Sequence, residues 1–261
     1  MSLDKDEKSM QKQIICTGFR ADTRFYFSQV HLRTAVLFAQ MSKKIEANTR
    51  QTQRDREMHW SYVVTSVMTS VAFIEAAINE VYSDAAEDMK YQNMAPDVTG
   101  KLAAIWQIES FRRGASLLEK YQVALRLADK TEFNKGEAPC QDVVLVVRLR
   151  NALVHFVPQT VTVGASPGLT LDRGTHELEK CLKGKFPLNP LALKIKQGGG
   201  IKGVAHFETD FVAPFFPDEC LGYGCAKWAF GSCLAFTDKF FAEMNVTPYY
   251  ATMRSKYASK V

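Results

Sequence analysis

At 261 residues, with 46% hydrophobic and 23% charged positions, the chain has the make-up of a soluble globular protein that buries a substantial core. A formal net charge of +5 suits a polyanionic partner without requiring one. The first twenty residues lack the apolar run of a secretory signal, no run of about 20 apolar residues offers a membrane span, and the six cysteines form no C-x-x-C pair, so secreted, membrane-embedded and disulfide-framed classes are set aside. Free thiols in a reducing, cytoplasmic setting are the expectation.

In chain order, residues 1–21 read as a polar, poorly ordered tail. A first helix is predicted from about Asp22 to Thr52. The clearest element follows: Trp60, Val64, Val67, Val71, Ile74, Ile78 and Val81 recur at alternating steps of four and three, one apolar stripe on a long helix. No Gly or Pro interrupts the chain from Arg54 to Met94, and Pro96 is expected to end that helix. Its flank of Ser61, Thr65, Thr69, Ala72 and Ala76 is small enough to let a second neighbour approach. Leu102 to Leu125 predicts a further helix or helix pair, bent at Gly114. Asn134-Lys135-Gly136 and Pro139 make a turn.

Val143 to Val147 are β-formers by propensity. The apolar run nevertheless continues to Phe156, too long for a typical strand, so helix is predicted. After Pro158, alternating residues predict hairpins at about Thr160–Leu171 and Leu191–Phe207, with a short helix at about Thr175–Lys183 between them. A last helix is expected from about Asp218 to Met244. The predicted class is all-α: one domain over 22–261, a bundle of four to five helices with a small β-hairpin-containing insertion at about 157–214 between the last two.

Most motif chemistry is weak. Among His31, His59, His155, His176 and His206, no pair stands at i, i+4 and no H-E-x-x-H occurs, so no metal site is predicted; Cys220 and Cys225 would need distant partners to hold zinc. Gly198-Gly199-Gly200 lacks nucleotide-loop spacing. Neither metal nor cofactor is expected. Glu75 and Asn79 share a helix face at i, i+4, the pattern of an ordinary helix-edge pair unless something faces them.

Arg150-Asn151-x-x-x-His155 is different in kind. Asn151 and His155 line up at i, i+4; Arg150 starts about 100° round the helix, with a side chain long enough to swing back. Together they offer a fixed cation with five donors, a polar orienter and an imidazole, the residue type that titrates near neutral pH. RNA cleavage by the ribose 2′-hydroxyl needs a base for that proton, an acid for the leaving oxygen and a cation for the phosphate charge. Spacing alone is a weak signal, since chance supplies roughly 0.25 copies of Arg-x4-His in such a chain. A second copy, Arg54 to His59, lies in a polar run and reads as solvated charge. Val and Leu surround Arg148, Arg150 and His155, so context separates the two.

Arg-Asn-x-x-x-His on a late helix, preceded by the long helix carrying Ser70-Val71-Ala72-Phe73-Ile74-Glu75-Ala76-Ala77-Ile78-Asn79-Glu80, resembles the HEPN superfamily over about Arg54–Phe156. The resemblance implies a metal-independent endoribonuclease, a hydrolase-class enzyme working on RNA as a homodimer with a composite cleft. Arg150 would steady the scissile phosphate, His155 would serve as acid/base and Asn151 would orient them. Glu75 and Asn79 would support the motif helix, and Arg148 would be an auxiliary cation. Cleavage would leave 2′,3′-cyclic phosphate and 5′-hydroxyl ends, in a toxin–antitoxin, defence or stress setting where an antitoxin or regulatory partner restrains it. The alternatives are a non-catalytic HEPN-like dimerisation or RNA/nucleotide-binding module, and an unrelated helical bundle with a chance motif.

Overall fold

The computed structural model describes residues 13–17, 20–87, 89, 94–158, 173–192 and 214–258. The class is all-α, with one small departure. Within the stretch read as a tail and helix start, β1 (Gln13–Thr17) and β2 (Arg20–Arg24) pair antiparallel, Gln13 opposite Arg24. The β-branched Ile14-Ile15 and Thr17 favour a strand, and the polar composition of the surrounding tail hides them. The first helix, α1 (Phe27–Ala47), therefore starts after Tyr26 and not at Asp22.

A short link, 48–52, turns the chain into α2 (Gln53–Ala86), which opens on a capping box: Thr52 Oγ1 accepts from the Asp55 amide at 3.1 Å, and Asp55 Oδ2 accepts from the Thr52 amide at 2.8 Å. The two helices run antiparallel. Ser28 meets Glu80 at one end, Ser66 Oγ donates to the Ala35 carbonyl in the middle, and Glu46 meets His59 at the other. Val67, Val71, Ile74, Ile78 and Val81 are buried as their spacing predicts, while Trp60 is 43% exposed. α2 does pack on more than one side, against α1 and against later helices of the chain, but the small-residue flank is only partly covered: Ser61 is exposed, and Thr65, Thr69, Ala72 and Ala76 are half-buried. Ser61, Thr65 and Thr69 turn their hydroxyls back onto carbonyls four residues earlier. By length and composition α2 is apolar enough to cross a bilayer, and half of its most apolar window is buried inside the protein.

α2 closes at Ala86, well before Pro96, which instead opens α3 (Pro96–Trp106) at a position where its missing N–H costs nothing. The expected helix pair is three pieces, with α4 (Glu109–Gly114) ending on the glycine and α5 (Leu117–Leu127) opening on a second capping box from Ser116 and Glu119. The valine run is helical, α6 (Cys140–Val154). α7 (Arg173–Leu182) stands where a short helix was expected. The hairpins predicted around it lie outside the described residues, except that Leu191 and Ala192 are in a helical turn rather than a strand.

A turn at Phe215–Glu219 leads to α8 (Tyr223–Glu243), which is shorter at its start than predicted. Gly222 and Gly224 explain the entry, because a Cβ on Gly224 would stand 2.5 Å from the Pro187 carbonyl oxygen and one on Gly222 2.8 Å from Asn189 Cα. α9 (Ala251–Ala258) follows, an element the sequence reading does not contain. α8 packs on α1, α2 and α6, and α6 packs on α2 and α8. Tyr121 knits α5 into this core: its hydroxyl donates to the Ile74 carbonyl at 2.7 Å, and its ring meets Phe236 and Phe240 edge-on at 4.8 and 4.7 Å.

Candidate functional site

The inward face of α6 is Val143, Val146 and Leu149, spaced three apart and buried against α2 and α8. That burial orients everything else on the helix. Arg148, Asn151 and His155 stand at successive steps of three and four, so they share the opposite face, and all three are exposed. Arg148 and His155 are separated by two turns, roughly 10 Å. Arg150 sits between the faces. It is half-buried, and its Nε is enclosed without a hydrogen-bond partner among the described residues. The cation on the exposed stripe is thus Arg148, with the half-buried Arg150 two residues on.

His155 occupies the C-cap, its amide donating to the Asn151 carbonyl at 2.9 Å. The helix therefore stops one residue before the histidine, and the chain leaves the core there. Val154, Phe156 and Val157 are exposed around it, the last by 70%. Among the described residues no side-chain hydrogen bond joins Arg150, Asn151 and His155 to one another.

The second Arg-x4-His copy corrects the reading from context. Arg54 and Arg56 are exposed as expected, but His59 is only 1% exposed. Its Nε2 lies 2.8 Å from Glu46 Oε1, the atom that also accepts the Tyr223 amide at 2.6 Å. The histidine in the polar run is a buried structural group, and the histidine in the apolar run faces solvent. Helix registry decides burial, and the partner of His59, Glu46 on α1, is in turn held by the Tyr223 amide at the start of α8.

Glu75 and Asn79 are placed at α5. Lys120, 6% exposed, donates from Nζ to Asn79 Oδ1 at 2.9 Å and lies 5.5 Å over the Trp106 ring. Burial pushes the Lys120 ammonium below the usual lysine range, partly offset by the Glu75 carboxylate. No hydrogen bond or ion pair among the described residues links Glu75 or Asn79 to α6.

A charged cluster at the far end of α2 escaped the sequence reading. Arg24 reaches from β2 to the buried Asp84 at 2.7 Å and pairs with Glu87, while Ser28 donates from its amide and hydroxyl to Glu80 at 2.8 and 2.6 Å. Burial raises Glu80 to about 7 against those two bonds, with the Asp84 charge adding to the rise. Charged residues at 80 and 84, one turn apart beside an apolar stripe, are the signal that marks them.

Cys140, Cys181, Cys220, Cys225 and Cys233 are free thiols. Cys220 and Cys225 are buried in mutual hydrogen-bond contact, which holds the Cys225 thiol well above its ordinary range. Among the described residues no three His, Cys, Asp or Glu side chains gather as a metal site.

No family model, curated protein or solved structure matches this chain.

Proposed function

We propose that this protein is a metal-independent endoribonuclease of HEPN type, acting in the cytoplasm as a homodimer within a defence, toxin or stress system. The observation that carries it is the exposed Arg148–Asn151–His155 stripe at the end of α6, with the half-buried Arg150 beside it. Imidazole and guanidinium stand on solvent-facing backbone held by a buried helix face, the arrangement of a site on a rigid element. His155 takes the proton of a ribose 2′-hydroxyl; the 2′-oxygen attacks phosphorus and the 5′-oxygen leaves with a proton from a second acid. The arginines balance the charge on the phosphate.

Among the described residues one copy shows no second acid beside His155 and no side chain hydrogen-bonded to it. A second copy related by a two-fold axis would bring a second His155 to act as the acid. The exposed Val154, Phe156 and Val157 beside the histidine also favour a second reading, a non-catalytic dimerisation or RNA-binding module, in which this apolar rim is the contact surface.

The test incubates the purified protein and its Arg150→Ala and His155→Ala variants with mixed RNA, with and without EDTA. Cleavage that persists in EDTA, leaves 2′,3′-cyclic phosphate ends and vanishes in both variants is the expected result. Equal cleavage by all three proteins would remove the site assignment, and a dimer that binds RNA without turnover would favour the module. A purified dimer would be sought by sizing in the same preparation, and an antitoxin or other regulatory partner by co-purification.

A further inference from the structure

We infer that Phe156 is a stacking platform for one base of single-stranded RNA beside the residue that cuts it; this rests on the ribonuclease reading above. Phe156 directly follows His155 at the point where α6 ends. The residue is 47% exposed, and its ring meets that of Phe216, itself 6% exposed, at a centroid distance of 6.0 Å and a tilt of 45°. The ring thus rests against the buried Phe216 of the Phe215–Glu219 turn while about half of the residue is left to water.

Surface apolar residues scattered singly need no explanation, but Val154, Phe156 and Val157 are exposed together on either side of His155, at the end of the helix that carries Arg148 and Arg150. Neither Arg148 nor Arg150 has an ion-pair partner among the described residues, so the last turns of α6 carry positive charge without a paired carboxylate ahead of a half-exposed aromatic. An apolar protein surface docking there would cover those cations without compensating them. A nucleotide meets both needs, because its phosphate pairs with guanidinium and its base stacks on the ring. Stacking of this kind requires an unpaired base, since a duplex keeps its bases stacked on each other. The position next to His155 limits the stacked base to one neighbouring the scissile phosphate, so the ring also sets where along a strand the cut falls.

Binding is read by fluorescence anisotropy on the full chain, using a labelled 2′-O-methyl RNA of about twelve nucleotides, a length a single-strand-binding surface covers. The methyl groups block the attacking oxygen, so binding is measured without turnover. Phe156→Ala is expected to weaken binding roughly ten-fold or more, the cost of losing one base stack. Phe156→Tyr should bind like wild type, whereas Phe156→Leu, equally apolar but without a π-face, should fall with alanine. A duplex of the same sequence should compete poorly.

Leucine binding as well as tyrosine, or all variants binding equally, would overturn the stacking role while leaving the ribonuclease reading in place. A wild-type protein that binds no single strand and cuts no RNA would overturn both. Loss of a dimer in Phe156→Ala on sizing would reassign the ring to a contact between copies.

Discussion

Replacing Glu80 by glutamine should stabilise the protein at alkaline pH and leave it almost unchanged in mild acid. The Glu80 carboxyl is raised from 4.5 to about 7 because burial, helped by the Asp84 charge, penalises its charge more than the hydrogen bonds from Ser28 and from the Phe27 backbone favour it. The folded protein thus binds this proton more tightly than the unfolded chain does. Below about pH 4.5 both states are protonated and the site is neutral to folding; between about 4.5 and 7 the unfolded chain releases the proton first, and stability falls as pH rises. A gap of about 2.5 pK units corresponds to roughly 3 kcal/mol, fully developed by about pH 8. Glutamine has no charge to bury and keeps both contacts, its amide oxygen accepting from the Ser28 amide and its amide nitrogen donating to the Ser28 hydroxyl. Urea unfolding of wild type and Glu80→Gln at about pH 5 and pH 8 reads the effect. The variant should gain up to about 3 kcal/mol over wild type at the higher pH and under 1 at the lower. Taking the difference between the two proteins cancels other titrating groups. A difference that does not change with pH would refute the account of a desolvated carboxylate.

Arg24→Met strips the cation from the fully buried Asp84 and should cost about 3–5 kcal/mol, read as a large fall in melting temperature; Asp84→Asn in the same background should recover part of it. Gly224→Ala drives a methyl group into the Pro187 backbone, and a loss of about 1–3 kcal/mol is expected in chemical unfolding. Arg148→Gln should leave the fold intact, since the side chain is exposed, and should lower the salt slope of RNA binding by about one phosphate contact in a titration across salt concentrations.

Long, periodic elements were the most legible. The stripe from Val67 to Val81 found its helix because apolar burial repeats over many turns, and length resolved the Val143–Val147 run against its β propensity. The β1–β2 hairpin was hidden because a short β-branched run carries little weight inside a polar segment, and α9 because its sequence, Ala-Thr-Met-Arg-Ser-Lys-Tyr-Ala, has no apolar period. At the site, spacing along one helix was readable and depth was not. Neighbours in the chain suggested that His155 is enclosed and His59 solvated, and the helix end at Val154 and the Glu46 carboxylate on the facing helix reverse both. Asn79 likewise finds its partner on α5, 41 residues away, where no local pattern points.

The Glu46 oxygen shared by His59 and the Tyr223 amide ties together groups that leave the ribosome at very different times. Glu46 and His59 are 13 residues apart, but Tyr223 follows Glu46 by 177. At about 5–20 residues per second, the helix that completes this junction is synthesised roughly 10–35 s after the first two have emerged. Until then the Glu46 carboxylate lacks one of its two partners, and the face of α2 that α8 covers stays open. Sequence separation alone thus sets a stage of synthesis in which the long striped helix has yet to meet α8 and, beyond it, the Tyr250 ring that packs on Phe73.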